Sequence, residues 1–303
     1  MLIPIAGPTG LASAPVLHVE HYPFHDLASF QTFAQAHHRN WHTQVQNSLR
    51  LIALHGIVDP LTAESVPASD LSLNGSNFRE TLHHNGCISR HRAVLLMMQI
   101  MLEAGALPPR NSLRIYCPER ITPFADLLQN HFPGATCTEF LPDPTDPRRT
   151  TLPHQDLCTL TYADNSFDLL ICNDLFEHIY DLNAAFEQCA RVLRPGGWLV
   201  ATFPMLYGQA ASQIKARHRP GAMPGVAAEA DLLMDPEFHG NPLEPDLGSL
   251  VYQLPGWDLL DQVRAAGLQE PCLHWLAAPS YGVVGAEIPA VLVFTALGAG
   301  VEP

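Results

Sequence analysis

Apolar and polar positions follow two rhythms along this chain. Over residues 27–55, Phe30, Phe33, Ala34, Trp41, Val45, Leu49 and Ile52 recur at a spacing that lays them along one side of a helix. Residues 59–70 break that rhythm with Pro60 and Pro67 and read as a loop. Residues 90–104 carry Leu95, Leu96, Met98, Ile100, Met101 and Leu102 nearly all round, the pattern of a buried helix, and Gly105 and Pro108-Pro109 end it. From residue 112 onward strands and helices alternate: strands over 112–117, 136–140, 167–173 and 198–203, helices over 123–131, 183–193 and 257–266. The run 167–173, FDLLICN, is apolar at successive positions, as a strand covered on both faces requires. Residues 272–277 and 290–295 read as a closing pair of strands that adds an antiparallel edge.

This order predicts an α/β fold with a doubly wound, mostly parallel sheet. Residues 1–75 are expected to form a mainly helical N-terminal extension. Residues 76–303 are expected to form the main domain, with a Pro-, Gly- and His-rich insert at about 206–254 covering a pocket.

Composition narrows the partners. Hydrophobic residues make up 47% of the 303 and charged residues 15%, so the chain can bury a large core. The formal net charge of −14 repels a phosphate backbone and an anionic bilayer alike; nucleic acid and membrane are not expected partners. Cysteines at 87, 117, 137, 158, 172, 189 and 272 form no C-x-x-C pair and several sit in apolar runs, which fits a reducing cytoplasm. Residues 1–15 lack a basic start and are broken by Pro and Gly, so no secretory leader is expected there. The apolar N-terminal segment gives a homodimer one surface to use.

The most specific stretch is 154–204, HQDLCTLTYADNSFDLLICNDLFEHIYDLNAAFEQCARVLRPGGWLVATFP. It resembles the second half of class I S-adenosylmethionine-dependent methyltransferases of the small-molecule type. The resemblance implies a seven-stranded Rossmann-like sheet with S-adenosylmethionine as cofactor. It sets Asp156 at the adenine amino group, with the Leu157 amide beside it. Asn173 and Asp174 fall at the end of the fourth strand, where open α/β sheets take ligands. Leu193-Arg194-Pro195-Gly196-Gly197 is then the turn into the fifth strand.

The first βα loop departs from the common pattern. Tyr116-Cys117-Pro118-Glu119-Arg120-Ile121-Thr122-Pro123 holds no glycine, and its two prolines remove two amide donors. A narrower branch of methyltransferase-like proteins has a similar I-Y-x-x-E-x-x-T-P loop, matched here by Ile115, Tyr116, Glu119, Thr122 and Pro123. There the resemblance places Tyr116, Glu119, Glu139 and Phe140 on the cofactor, with the Glu139 carboxylate on the ribose hydroxyls. Upstream, 78–93 resembles a W-R-E-x-L-x-C-x-x-C segment of the same branch, with His84 and Cys87 at the two Cys positions. His83, His84, Cys87 and His91 are a conceivable zinc set, but neighbouring histidines seldom share one ion in good geometry, so no metal is expected. Arg90 and Arg92 are then candidates to pair with acidic groups or with a substrate carboxylate or phosphate, Arg90 being the substrate-side choice.

His178 matches a Glu-His position common in the small-molecule enzymes and is a candidate base, as is His239 in Phe238-His239-Gly240-Asn241-Pro242, which resembles a Y-H-G-x-P segment. Asn241 is a substrate-side candidate. For each a plainer role stands beside the functional one: packing for His178, a turn for His239 and Asn241. Three functions remain open: methyl transfer to oxygen or nitrogen of a small metabolite, a fold that binds without catalysing, and non-methylating biosynthetic chemistry.

Overall fold

The computed structural model describes residues 2–4 and 18–300. Most of the segment expected to lack a leader, 5–17, lies outside the described residues. The strands of the main sheet are β1 (Leu2–Pro4), β2 (His18–Phe24), β3 (Ile115–Cys117), β4 (Ala135–Cys137), β5 (Phe167–Asn173), β6 (Leu193–Thr202), β7 (Gln269–Ala277) and β8 (Val291–Leu297). The helices are α1 (Leu27–His37), α2 (Trp41–His55), α3 (Ser89–Glu103), α4 (Pro123–His131), α5 (Leu182–Val192) and α6 (Leu259–Ala265). The strand order is β1-β2-β7-β8-β6-β5-β3-β4. β6, β5, β3 and β4 pair in parallel, and β8 joins β6 antiparallel. The seven-stranded, doubly wound sheet expected from the sequence is therefore present, with the short β1 as an eighth strand.

By its contacts the chain divides into Met1–Ala106 with Leu273–Val293, and Leu107–Cys272 with Phe294–Pro303. The division read at residue 75 from the loss of helical rhythm thus falls instead at Ala106. The reason is that α3 is held to its own unit by buried polar contacts. The Ser89 hydroxyl donates to the Val284 carbonyl at 2.7 Å and accepts from the Val284 amide at 2.8 Å.

In the first unit, Asp26 caps α1 by accepting from the Ser29 amide at 2.7 Å. The single helix expected over 27–55 is broken by a 3-10 turn at His38–Asn40. Tertiary packing accounts for the break. Phe33 and Trp41 lie 5.0 and 5.2 Å, centroid to centroid, from the same buried ring, Trp275. Eight residues of straight helix would set them roughly 12 Å apart along the axis. The extension also carries β2, a strand the helical reading missed, paired antiparallel with β7. Beneath them His21 Nε2 meets His274 Nδ1 at 2.8 Å.

In the second unit, β5 buries Leu169, Leu170 and Ile171 completely between its two parallel neighbours. Its one charged residue, Asp168, is also buried. It accepts from the Arg114 amide at 2.7 Å and pairs with Arg114 and Arg194, tying the starts of three strands together. α5 is capped by Asp181 and buries Leu182, Ala185, Phe186, Cys189 and Val192, a stripe at helical spacing. The expected insert is built of three two-stranded ladders, pairing Gln213–Ile214 with Gln253–Leu254, Ala216–Arg217 with Asp231–Leu232, and Phe238–His239 with Ser249–Leu250. Ala216, Ala230, Leu250 and Tyr252 form its small core. Among the described residues, no helix is long and apolar enough to cross a membrane.

Candidate functional site

The ends of β3, β4 and β5 bring acidic side chains together in the second unit. The Gly-free loop after β3 turns directly into α4. Thr122 caps that helix by accepting from the Ala125 amide at 3.2 Å. Pro123 stands at the first helical position, where its missing amide would have had no partner in any case. One proline of the loop is therefore helix chemistry rather than a lost donor for a ligand.

Glu119 is the hub of the loop. Its Oε1 accepts from the Asn173 amide at 2.6 Å and its Oε2 from the Thr122 hydroxyl at 2.8 Å. The Cys117 thiol lies 3.5 Å from Oε1. Asn173 Oδ1 is buried without a hydrogen-bond partner. Glu139, just beyond β4, accepts the Arg120 and Ile121 amides on Oε2 at 3.1 and 3.3 Å. Burial raises its pKa above the usual carboxylate range, and those same amides oppose the rise. Asp174 has φ of 45°, a conformation Asp tolerates better than most residues, and its amide donates to the Thr202 carbonyl at 2.8 Å. Asp156 accepts the Cys158 amide at 2.8 Å and the Tyr180 hydroxyl at 2.7 Å. Leu157 is buried beside it, and Phe140 packs its ring 6.0 Å from that of His154.

Three expected contacts have other work. Tyr116 is wholly buried: its hydroxyl meets Thr138 at 2.9 Å and its ring stacks on Phe167, so its side chain is core, not a cofactor contact. Arg90 belongs to the first unit, and its guanidinium donates to Glu80 at 2.9 Å and to His91 at 3.0 Å. Asn241 shapes a turn by accepting the Leu243 and Glu244 amides at 2.8 and 3.3 Å. Arg92 likewise has no acidic partner in its hydrogen bonds. It donates to the carbonyls of Leu82, Cys87 and Gly282, and burial lowers its pKa to about 10.

The two candidate bases do converge. A 3-10 turn, Phe176–His178, follows β5. There the rings of His178 and His239 lie 5.1 Å apart, edge to face. His178 Nδ1 is 2.9 Å from the Leu250 carbonyl, which can only accept; Nδ1 therefore carries the proton and Nε2 offers a lone pair. His239 Nε2 meets Glu237 at 3.1 Å, and Glu237 pairs with Lys215. Between the rings sits Glu177, wholly buried, with neither carboxylate oxygen in a hydrogen bond. The close approach of its carboxylate raises the His239 pKa; burial opposes the rise, and the hydrogen bond to Glu237 adds to it. The meeting of Glu177 with His239 is not legible in residue order, because the pairing of Phe238–His239 with Ser249–Leu250 brings them together.

Of His83, His84, Cys87 and His91, from which no metal site was expected, the last three are engaged otherwise. His84 and Cys87 bond to each other through backbone groups, the His84 ring reaches the Asp70 carbonyl at 3.1 Å, and the Arg90 guanidinium donates to the His91 ring.

Comparisons with known proteins bear on the same region. Residues 135–201 match the methyltransferase domain family. The 27-O-demethylrifamycin SV methyltransferase of Amycolatopsis mediterranei is 30% identical over 142 residues, 45% of this chain and 51% of the relative, so the chain spans about half the length of that protein. Among solved structures, an S-adenosylmethionine-dependent methyltransferase of Mesorhizobium loti is 15% identical over 64% of this chain and 94% of its own, with a TM-score of 0.38. One from Methanosarcina mazei is 12% identical over 66% of this chain and 98% of its own, also at a TM-score of 0.38. The matched stretch supplies Glu139, Asp156, Asn173 and the Pro195-Gly196-Gly197 turn, and over residues 135–201 the chain is similar to the methyltransferase domain family.

Proposed function

We propose that the protein transfers a methyl group from S-adenosylmethionine to an oxygen or nitrogen of a small metabolite. The observation that carries this is the gathering of Glu119, Glu139 and Asn173 at the ends of three neighbouring parallel strands. The buried, unpartnered Asn173 Oδ1 is an acceptor suited to the ammonium of a methionyl group, with the Glu119 carboxylate beside it. Glu139 would take the ribose hydroxyls and Asp156 the adenine amino group. When bound, the cofactor supplies an electrophilic methyl on a sulfonium. The chain's residues do the rest: they hold the acceptor in line, where most of the rate arises from positioning. His178 Nε2 or His239 takes the acceptor's proton. The net charge of −14 favours a small acceptor over nucleic acid. The Amycolatopsis protein is named for a 27-O-demethyl compound, which favours oxygen.

The closed Glu119–Asn173–Thr122 network favours a second reading, a fold that has kept its crevice but lost transfer. Calorimetry with S-adenosylmethionine and its demethylated product separates the two. Dissociation constants on the order of micromolar for both are expected of the enzyme; no heat from either rejects it.

A further inference from the structure

We propose that Glu177, His178 and His239 form a binding site for a divalent first-row transition-metal ion of the zinc type. One ligand atom from each residue lies within 4.8 Å of the other two. Glu177 Oε1 is 3.7 Å from His178 Nε2 and 3.5 Å from His239 Nδ1. These separations are long for hydrogen bonds. They suit the edges of a tetrahedral site, since ligands about 2.0–2.1 Å from one ion stand roughly 3.3 Å apart. A small inward movement of each side chain closes the set.

The second observation is the state of Glu177. Its side chain is 0% exposed and neither oxygen accepts a hydrogen bond. A buried carboxylate without a hydrogen-bond partner is costly, and an ion between it and the two rings removes that cost. The third is the orientation of the rings. The far nitrogen of His178 is held by the Leu250 carbonyl and that of His239 by the Glu237 carboxylate. A metal-ligating histidine ordinarily has such a partner, which fixes the tautomer and turns the other nitrogen towards the ion. Lys215, 2.5 Å from Glu237, anchors the carboxylate behind His239.

Two imidazoles and one carboxylate match zinc and its neighbours rather than magnesium or calcium, which prefer an all-oxygen shell. Three protein ligands leave a fourth position open, as in catalytic rather than structural zinc sites. This deepens the reading above for the same residues, with the ring lone pairs serving as ligands in place of taking the acceptor's proton. The metal site stands without methyl transfer; only the filling of its fourth position by an acceptor hydroxyl rests on that reading.

The test needs neither cofactor nor acceptor. The full chain is dialysed against a chelator and titrated with Zn(II) by calorimetry, and with Co(II) by its visible absorption. About one equivalent of Zn(II), with a dissociation constant on the order of micromolar or tighter, and a Co(II) spectrum of tetrahedral intensity are expected. His239→Ala removes a ligand that is not part of the core and should abolish both signals while circular dichroism stays unchanged. Glu237→Gln, which alters only the support behind the ring, should weaken binding about tenfold. A wild-type chain that takes up neither ion, or a His239→Ala chain that binds as the wild type does through its other histidines, overturns the proposal. If neither ion binds while S-adenosylmethionine does, the site fails and the methyl-transfer reading stands.

Discussion

Asn173, the last residue of β5, donates its side-chain amide to Glu119 Oε1 at 2.6 Å, joining the tips of two adjacent parallel strands. In the common methyltransferase pattern that gap is lined by glycine backbone. Here a carboxylate and an amide stand in it, one anionic and one with a spare buried acceptor. The crevice has exchanged close backbone approach for charge.

Glu139 is the sharpest check on that exchange. Glu139→Ala should weaken S-adenosylmethionine binding by about 1–3 kcal/mol, the cost of leaving polar partners unmatched. Calorimetry measures this, with circular dichroism reporting on the 118–122 loop that Glu139 also holds through two amides. An unchanged affinity removes Glu139 from the site.

His178→Ala should lower kcat by about 100-fold or more, with cofactor affinity unchanged, whether the ring takes the proton itself or holds an ion that assists. Single-turnover methyl transfer reads this directly once an acceptor is in hand. Full turnover in the variant would exclude His178 from both roles.

Gly282→Ala should destabilise the chain by about 1–3 kcal/mol. Gly282 sits at φ of +67°, and an added Cβ would come within 2.7 Å of Arg92 Nε, whose guanidinium already serves three buried carbonyls. Urea unfolding followed by fluorescence gives the difference; a variant as stable as the wild type would show that Arg92 can shift freely.

Acid should destabilise the chain through His21 and His274. Burial lowers both pKa values, that of His274 to about 3, with His21 and His25 adding to the effect. Since the folded values lie below that of a free imidazole, the folded state resists protonation. The stability these rings contribute is complete above about pH 6.5 and is lost as pH falls towards about 3. Protonation also leaves the His21–His274 contact at 2.8 Å without an acceptor. Tm should fall by at least about 2 °C between about pH 7.5 and about pH 5, and His274→Gln should flatten that slope.

Much of this was legible in residue order. Thr122-Pro123 marks the start of α4 by cap and first-turn chemistry, and FDLLICN could only be a strand covered on both faces. Those signals are local, and β5 and α4 begin and end where the sequence puts them. The break at His38–Asn40 was not legible, because it depends on the distant Trp275. β2, HVEHYPF, lacks clean alternation and gains its identity from pairing with β7. At the site, it was the resemblance, not residue spacing, that singled out 119, 139, 173 and 178. The burial of Tyr116, the turn made by Asn241 and the meeting of Glu177 with His239 were set by long-range packing that no spacing encodes.

The interleaved composition of the first unit bears on how the chain is made. His21 meets His274, a residue 253 positions later. During synthesis the ribosome therefore releases β2, α1, α2 and α3 long before β7 exists to cover them. Their aromatic faces, Phe24, Phe30 and Phe33 among them, must wait exposed until the last tenth of the chain emerges. Such an obligatory delay favours capture by a chaperone over early independent folding. It also means that an amino-terminal fragment ending at 106, expressed alone, should accumulate as aggregate rather than as a soluble half.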